Sequence, residues 1–343
     1  MTGDQLPGVK RPYVIRAGEG QRFTFGGQLA TVVARNEDTG GLLEVIFLSG
    51  GKGAAFPLHR HKSSHEALYV IDGQLELWID GKKALLSRND YANIPAGTIH
   101  GYKMRSHRTQ TLSWSVGSSL AQMYSLIGEP YAGHVHPESA SSVIGATFLE
   151  KARANSDVEF VGDTIYSNAQ TLVPVAMPPK GVEAYIIEAG DGERMIAGQD
   201  LFAFLAHQGN TGGQFISVTT QGPPGDRIPD HFHEKHTETF FCFDGKMTMW
   251  ADGNEISFFP GDFLHVPAGT VHSYRIDAPF TRFMGVLAPG LFEPFFRIMC
   301  DPYDGHIFPL EPKPFRFDRI LQHLSELDLK LVGDPTRDPA GRP

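Results

Sequence analysis

The chain of 343 residues holds only two cysteines, Cys242 and Cys300, too few for a disulfide framework. Cys242 sits in the apolar run TFFCF, where a small buried residue is the simpler reading than a nucleophile. Positive charge is in deficit. With 30 Lys and Arg against 39 Asp and Glu, the net charge is -9, without the basic footprint that nucleic acid or an anionic membrane surface requires. No run reaches the roughly 18 apolar residues needed to span a bilayer. The opening MTGDQLPGVKRPYV lacks the apolar core of a secretion signal, so the cytoplasm is the expected location. No glycine fingerprint for a nicotinamide or flavin cofactor is present either.

What is present is a repeat. Shifted by 172 residues, the chain matches itself without a gap: PYVIRAGEGQRF from Pro12 falls on AYIIEAGDGERM from Ala184. His59, His61, Glu66 and His100 fall on His231, His233, Glu238 and His272. The unit reads as all-β. ALYVIDGQLELWID and TFFCFDGKMTMWAD are rich in β-branched and aromatic residues, and the pairs Asp72-Gly73, Asp80-Gly81, Asp244-Gly245 and Asp252-Gly253 are hairpin signals. Two tandem β-barrels from an internal duplication are expected, closed so that no edge is exposed, with a few short helices. The expected boundaries are 1–145 and 181–332 for the domains, 146–180 for a linker with a helix in ATFLEKARANSD, and 333–343 for a disordered tail. Ile320, Leu321, Leu324 and Leu327 have helical spacing, read as a helix that covers a barrel.

The repeat carries chemistry. His59 and His61, one residue apart, project from one face of a strand, Glu66 follows after a short turn, and His100 arrives 34 residues later. His231, His233, Glu238 and His272 repeat that arithmetic. A lone inward histidine is more often a satisfied core residue than a ligand. Three imidazoles and a carboxylate at fixed spacing, present twice, point instead to a divalent transition metal in each half: iron, manganese, copper, nickel or cobalt. His233-Glu234-Lys235-His236 is one residue short of the zinc-protease pattern and is set aside. His134 and His306 repeat within PY-x-GH segments and are read as turn residues.

These residues resemble a family. Gly53, His59, His61, Glu66 and Gly73 match the first cupin motif, G-x5-H-x-H-x4-E-x6-G, and Pro95, Gly97 and His100 match the second, G-x5-P-x-G-x2-H. The second half matches both in full. Asn89 replaces the opening glycine of the second motif in the first half, and asparagine tolerates the left-handed turn. The resemblance implies a bicupin with jelly-roll-like barrels. Flanking segments, among them LSGGKGAAFPLHRHKSSHE, DHFHEKHTETFF and PGLFEPFFR, are similar to bacterial quercetin 2,3-dioxygenases, a likeness that runs from about Pro12 to Leu331.

That family implies a flavonol and dioxygen as partners, Fe(II) or Mn(II) as the first choices of metal, and Glu66 or Glu238 as the base for the flavonol 3-hydroxyl. Carbon monoxide and a depside would leave. Leu68, Tyr102 and Met104 in one half, and Phe240 and Tyr274 in the other, share strand parity with the ligands and would suit a flat aromatic molecule, though each is equally read as barrel core. Phe240 is expected to narrow the second pocket and flexible Met104 to let the first adapt, which favours the first centre for turnover. An oxalate-decarboxylase-like enzyme and a non-enzymatic small-molecule-binding cupin are the rival readings. A homodimer is compatible with all of them.

Overall fold

A computed structural model describes residues 6–117, 120–137, 144–162, 169–313 and 315–333. The chain divides into two units, one of residues 1–9 and 18–190, the other of residues 10–17 and 191–343. Each is a pair of open, mainly antiparallel sheets packed through their inner faces as in a jelly roll, so the closed barrels expected from the turn pattern are not what forms. Among the described residues five short helices accompany them, and no helix is long and apolar enough to cross a membrane.

In the first unit, the larger sheet runs Glu129–Pro130, Gln21–Phe25, Gln28–Ala34, Glu44–Gly50, Thr109–Val116, His65–Asp72, Tyr91–Ile94, Tyr185–Ile187. The smaller runs Val158–Gly162, Ala55–His61, His100–Met104, Leu75–Ile79, Lys82–Leu86, Gln170–Thr171. Alternation explains the packing: Leu68 and Val70 from one sheet meet Phe56, Leu77 and Tyr102 from the other in a single core. The second unit repeats the plan around Phe240, Met247, Met249 and Phe283.

The turns obey local chemistry. Asp80 and Gly81 both take positive φ, 46° and 79°, as a two-residue hairpin between Leu75–Ile79 and Lys82–Leu86 demands, and Asp252-Gly253 repeats it. Asn89 has φ 77°, against 92° for its counterpart Gly261, so the turn survives the asparagine.

The unit boundaries differ from those expected, and pairing is the reason. Tyr13–Ile15 pairs with Phe263–Val266 in the second unit, and its repeat counterpart Tyr185–Ile187 pairs with Tyr91–Ile94 in the first. Each strand satisfies an edge that an open sheet would otherwise expose. The segment read as a linker is also structural. Helix Ala146–Asn155 buries Ala152 in the first core, and Val158–Gly162 extends the smaller sheet beside His59 and His61. The C-terminal stripe forms helix Phe317–His323 with Ile320 buried, whereas Leu321 is exposed. Of the expected tail, all but Gly333 lies outside the described residues.

Candidate metal centres

The first centre grows from the strand Ala55–His61. Its alternation turns His59 and His61 to the inner face, and antiparallel pairing sets His100 opposite His59. Glu66 comes from the other sheet, at the start of His65–Asp72. One donor atom from each of the four lies within 4.8 Å of the others. None of the four is more than 6% exposed.

Hydrogen bonds behind the rings decide which nitrogen points inward. Nδ1 of His59 donates to the Pro57 carbonyl at 3.0 Å, and Nδ1 of His100 to the Thr98 carbonyl at 3.0 Å. A carbonyl only accepts, so Nδ1 carries the hydrogen and Nε2 presents a lone pair. Nδ1 of His61 likewise donates to Oδ1 of Asp157 at 2.8 Å. Oε2 of Glu66 then stands 3.2 Å from Nε2 of His100 and 3.5 Å from Nε2 of His61. Acceptors facing acceptors at that separation require a cation or a proton among them. The donor set therefore fits a divalent metal.

The second centre repeats the frame. Nδ1 of His231, His233 and His272 donates to the carbonyls of Pro229, Asp328 and Thr270 at 2.9, 2.6 and 3.0 Å. Ring centroids of His231 and His272 are 4.3 Å apart, against 4.1 Å for His59 and His100. Glu238 Oε2 approaches Nε2 of His272 to 2.9 Å. The donors gather differently here, as two overlapping triads: His231, His233 and His272, and His233, His236 and Glu238. His236 is fully buried.

Burial and the neighbouring imidazoles hold His59 and His231 well below the usual histidine range, and burial brings His233 down to about 4. For Glu238, burial opposes ionisation, but His233, His236 and His272 outweigh it and hold the carboxyl well below its usual range. Burial lowers His61 too, yet the Asp157 hydrogen bond and the Glu66 charge leave it raised. The lowered His59, His231 and His233 stay neutral and the lowered Glu238 stays ionised, the forms in which these groups accept a metal cation.

The expected lining residues divide between the units. In the first, Leu68, Tyr102 and Met104 belong to the packed core. The Tyr102 hydroxyl donates to Gln28 Oε1 at 2.7 Å, and the ring stacks on Phe56 at 5.8 Å. Met104 is fully buried over Gly50, where an added Cβ would stand 2.5 Å from its sulfur, so the side chain sits packed against that strand. In the second unit, Phe240 and Tyr274 line an apolar cavity that reaches His231, Glu238 and His272, walled further by Phe202, Val218 and Phe283. Phe240 thus forms part of a cavity wall, although its bulk was expected to narrow this pocket.

Three functional neighbours escaped the sequence reading. Asp157 and Asp328 organise the two ligand loops: each accepts from successive backbone amides, Ser63 and Ser64 in one case and Glu234, Lys235 and His236 in the other. Their spacing is 171, one short of the repeat, in a region where the two halves no longer align without a gap. His236 was visible, but only as part of a failed protease motif.

Cupin domain models match residues 49–114 and 219–281. The chain is 53% identical over 327 residues to quercetin 2,3-dioxygenase of Bacillus subtilis (strain 168), covering 95% of this chain and 97% of that protein. It is 32% identical over 126 residues to quercetin 2,3-dioxygenase of Aspergillus japonicus, covering 34% and 36% of the two chains. Among solved structures, oxalate decarboxylase of Bacillus subtilis at pH 4.6 superposes with a TM-score of 0.53 at 17% identity, over 82% of this chain and 77% of the other, a likeness of fold alone.

Proposed function

The chain belongs to the quercetin 2,3-dioxygenase family of bicupins, and from that membership we propose that it opens the heterocyclic ring of a flavonol such as quercetin with dioxygen, giving a depside and carbon monoxide. The observation that carries the reading is the second unit's cavity. Aromatic and aliphatic walls suited to a flat polyphenol end on the imidazoles of His231 and His272 and on Glu238. A small dianion such as oxalate would find few polar partners there.

The metal would be held by His59, His61, Glu66 and His100 in one unit, and in the other by His231, His233 and His272 with Glu238, which lies 2.9 Å from His272 and 3.5 Å from His233, two ions per chain with Fe(II) or Mn(II) the first candidates. Bound there, it supplies a redox-active Lewis acid at which an ionised flavonol and dioxygen are brought together. The protein's own part is acid–base and positional. Glu238, whose Oε2 lies 2.9 Å from His272 and which lines the cavity, accepts the 3-hydroxyl proton, and Glu66 is its counterpart. Phe240, Phe283 and Tyr274 pack the substrate's rings and exclude water.

The test is anaerobic loading of metal-free protein with Fe(II) or Mn(II), then quercetin and dioxygen. Quercetin loss with one carbon monoxide per turnover supports the reading. Loaded protein that leaves quercetin intact defeats it.

A further inference from the structure

The two centres share an architecture but not a donor set, and the difference is one residue. At offset 172, Ser64 of the first repeat corresponds to His236 of the second. Both lean on the same kind of support: Ser64 Oγ donates to Asp157 Oδ2 at 2.7 Å, and His236 Nδ1 donates to Asp328 Oδ2 at 2.7 Å. The serine spends its hydroxyl on that bond. The histidine has a second nitrogen.

We propose that His236 is an additional metal ligand of the second centre, its Nε2 joining His233 and Glu238 in holding a divalent ion. With Nδ1 committed to Asp328, Nε2 carries a lone pair and points away from that carboxylate. No hydrogen-bond partner lies within 3.5 Å of it, while the side chain is fully buried. Glu238 Oε1 lies 3.6 Å from it, and donor atoms of His233, His236 and Glu238 fall within 4.8 Å of one another. The His233 and His236 rings lie 4.0 Å apart at centroids, tilted by 30°, with Phe292 against both.

The support beneath the rings points the same way. An imidazole whose far nitrogen donates to a carboxylate is a better metal donor than one that donates to a carbonyl. In the first unit that carboxylate backs His61. In the second, His233 takes only the main-chain carbonyl of Asp328, and the side-chain carboxylate backs His236. The strongest donor has therefore moved from the H-x-H pair to the loop that follows it. Buried between two carboxylates, Asp328 behind and Glu238 in front, Nε2 of a neutral ring would be left unsatisfied, which is costly, unless a proton or a metal stands between it and Glu238. With His233 Nε2 3.5 Å from the same Oε1, a divalent ion satisfies all three donors at once.

The inference rests on the metal-centre reading above, and Cu(II) separates the two. Metal-free full-length protein is titrated with Cu(II) against a competing chelator, and the bound ion is examined by electron paramagnetic resonance for nitrogen hyperfine couplings. The parent should show two classes of Cu(II), one with an extra imidazole. His236→Ser, which installs the first repeat's residue, and His236→Gln, which keeps a donor towards Asp328, should each remove that imidazole and weaken one class roughly tenfold or more. The other class, held by the first unit, reports that the protein remains folded. Parental hyperfine and affinity in either variant would overturn the role of His236. A parent that binds no Cu(II) would instead sink the metal-centre reading itself.

Discussion

His61 and Asp157 lie 96 positions apart in the chain and 2.8 Å apart in the fold, with Nδ1 of the imidazole donating to Oδ1 of the carboxylate. The carboxylate also gathers the amides of Ser63 and Ser64, so one side chain fixes both a ring and the loop between the H-x-H pair and Glu66. Asp157→Asn should therefore lower metal affinity at the first centre by about 10- to 100-fold while leaving the second unchanged. Competitive metal titration resolves the two classes, and equal affinities in parent and variant would remove Asp157 from this role.

If the cavity that reaches His231, Glu238 and His272 is where the flavonol binds, the second centre should carry the greater share of turnover. His231→Ala/His233→Ala should lose more quercetin consumption than His59→Ala/His61→Ala, each measured with metal in excess. Equal residual rates would show that the differing surroundings of the two centres do not govern catalysis.

Glu238→Gln keeps the size of the side chain and loses the base. Flavonol cleavage at the second centre should fall by roughly 10²- to 10⁴-fold. The comparison is made in a background where His59→Ala/His61→Ala silences the first centre. Metal content is measured alongside. Near-parental rates with metal retained would remove Glu238 as the proton acceptor.

Asp200 occupies the place of Gln28 in the repeat, and burial pushes its carboxyl up to about 7. An unfolded aspartate loses its proton near pH 3.9. Between about pH 4 and 7 the folded chain thus holds a proton that the unfolded chain has released, and stability falls as pH rises through that window. Asp200→Asn should leave stability at pH 4 unchanged and raise it at pH 8 by about 2 kcal/mol, a figure reduced for solvent screening because Asp200 is only half-buried. Urea unfolding at both pH values measures it. A variant destabilised at pH 8 would contradict the sign.

The amino-acid sequence by itself determined whatever depends on near neighbours. The H-x-H spacing fixes a shared face because strand period is two, Asp80-Gly81 dictates its hairpin because both positions need positive φ, and Asn89 holds its turn for the same reason. Gapless self-similarity then predicted two copies of one site; donor atoms of His59, His61, Glu66 and His100 gather in the first unit, and those of the second gather as two overlapping triads. Only the tertiary structure decided the rest, because those outcomes are choices among distant partners that local patterns leave equivalent. Tyr13–Ile15 and Tyr185–Ile187 have the same pattern and open their repeats at the same point, yet each completes the sheet of the other repeat's unit, since unpaired edges there accept them. Nothing in the local pattern singles out Asp157, at the end of ATFLEKARANSD, or Asp328; the fold alone brings them beneath the loops that follow the H-x-H pairs. His236 reads in the sequence only as the end of His233-Glu234-Lys235-His236, one residue short of the zinc-protease pattern. Burial against Phe292, with Asp328 behind it and Glu238 in front, is what makes it a candidate ligand.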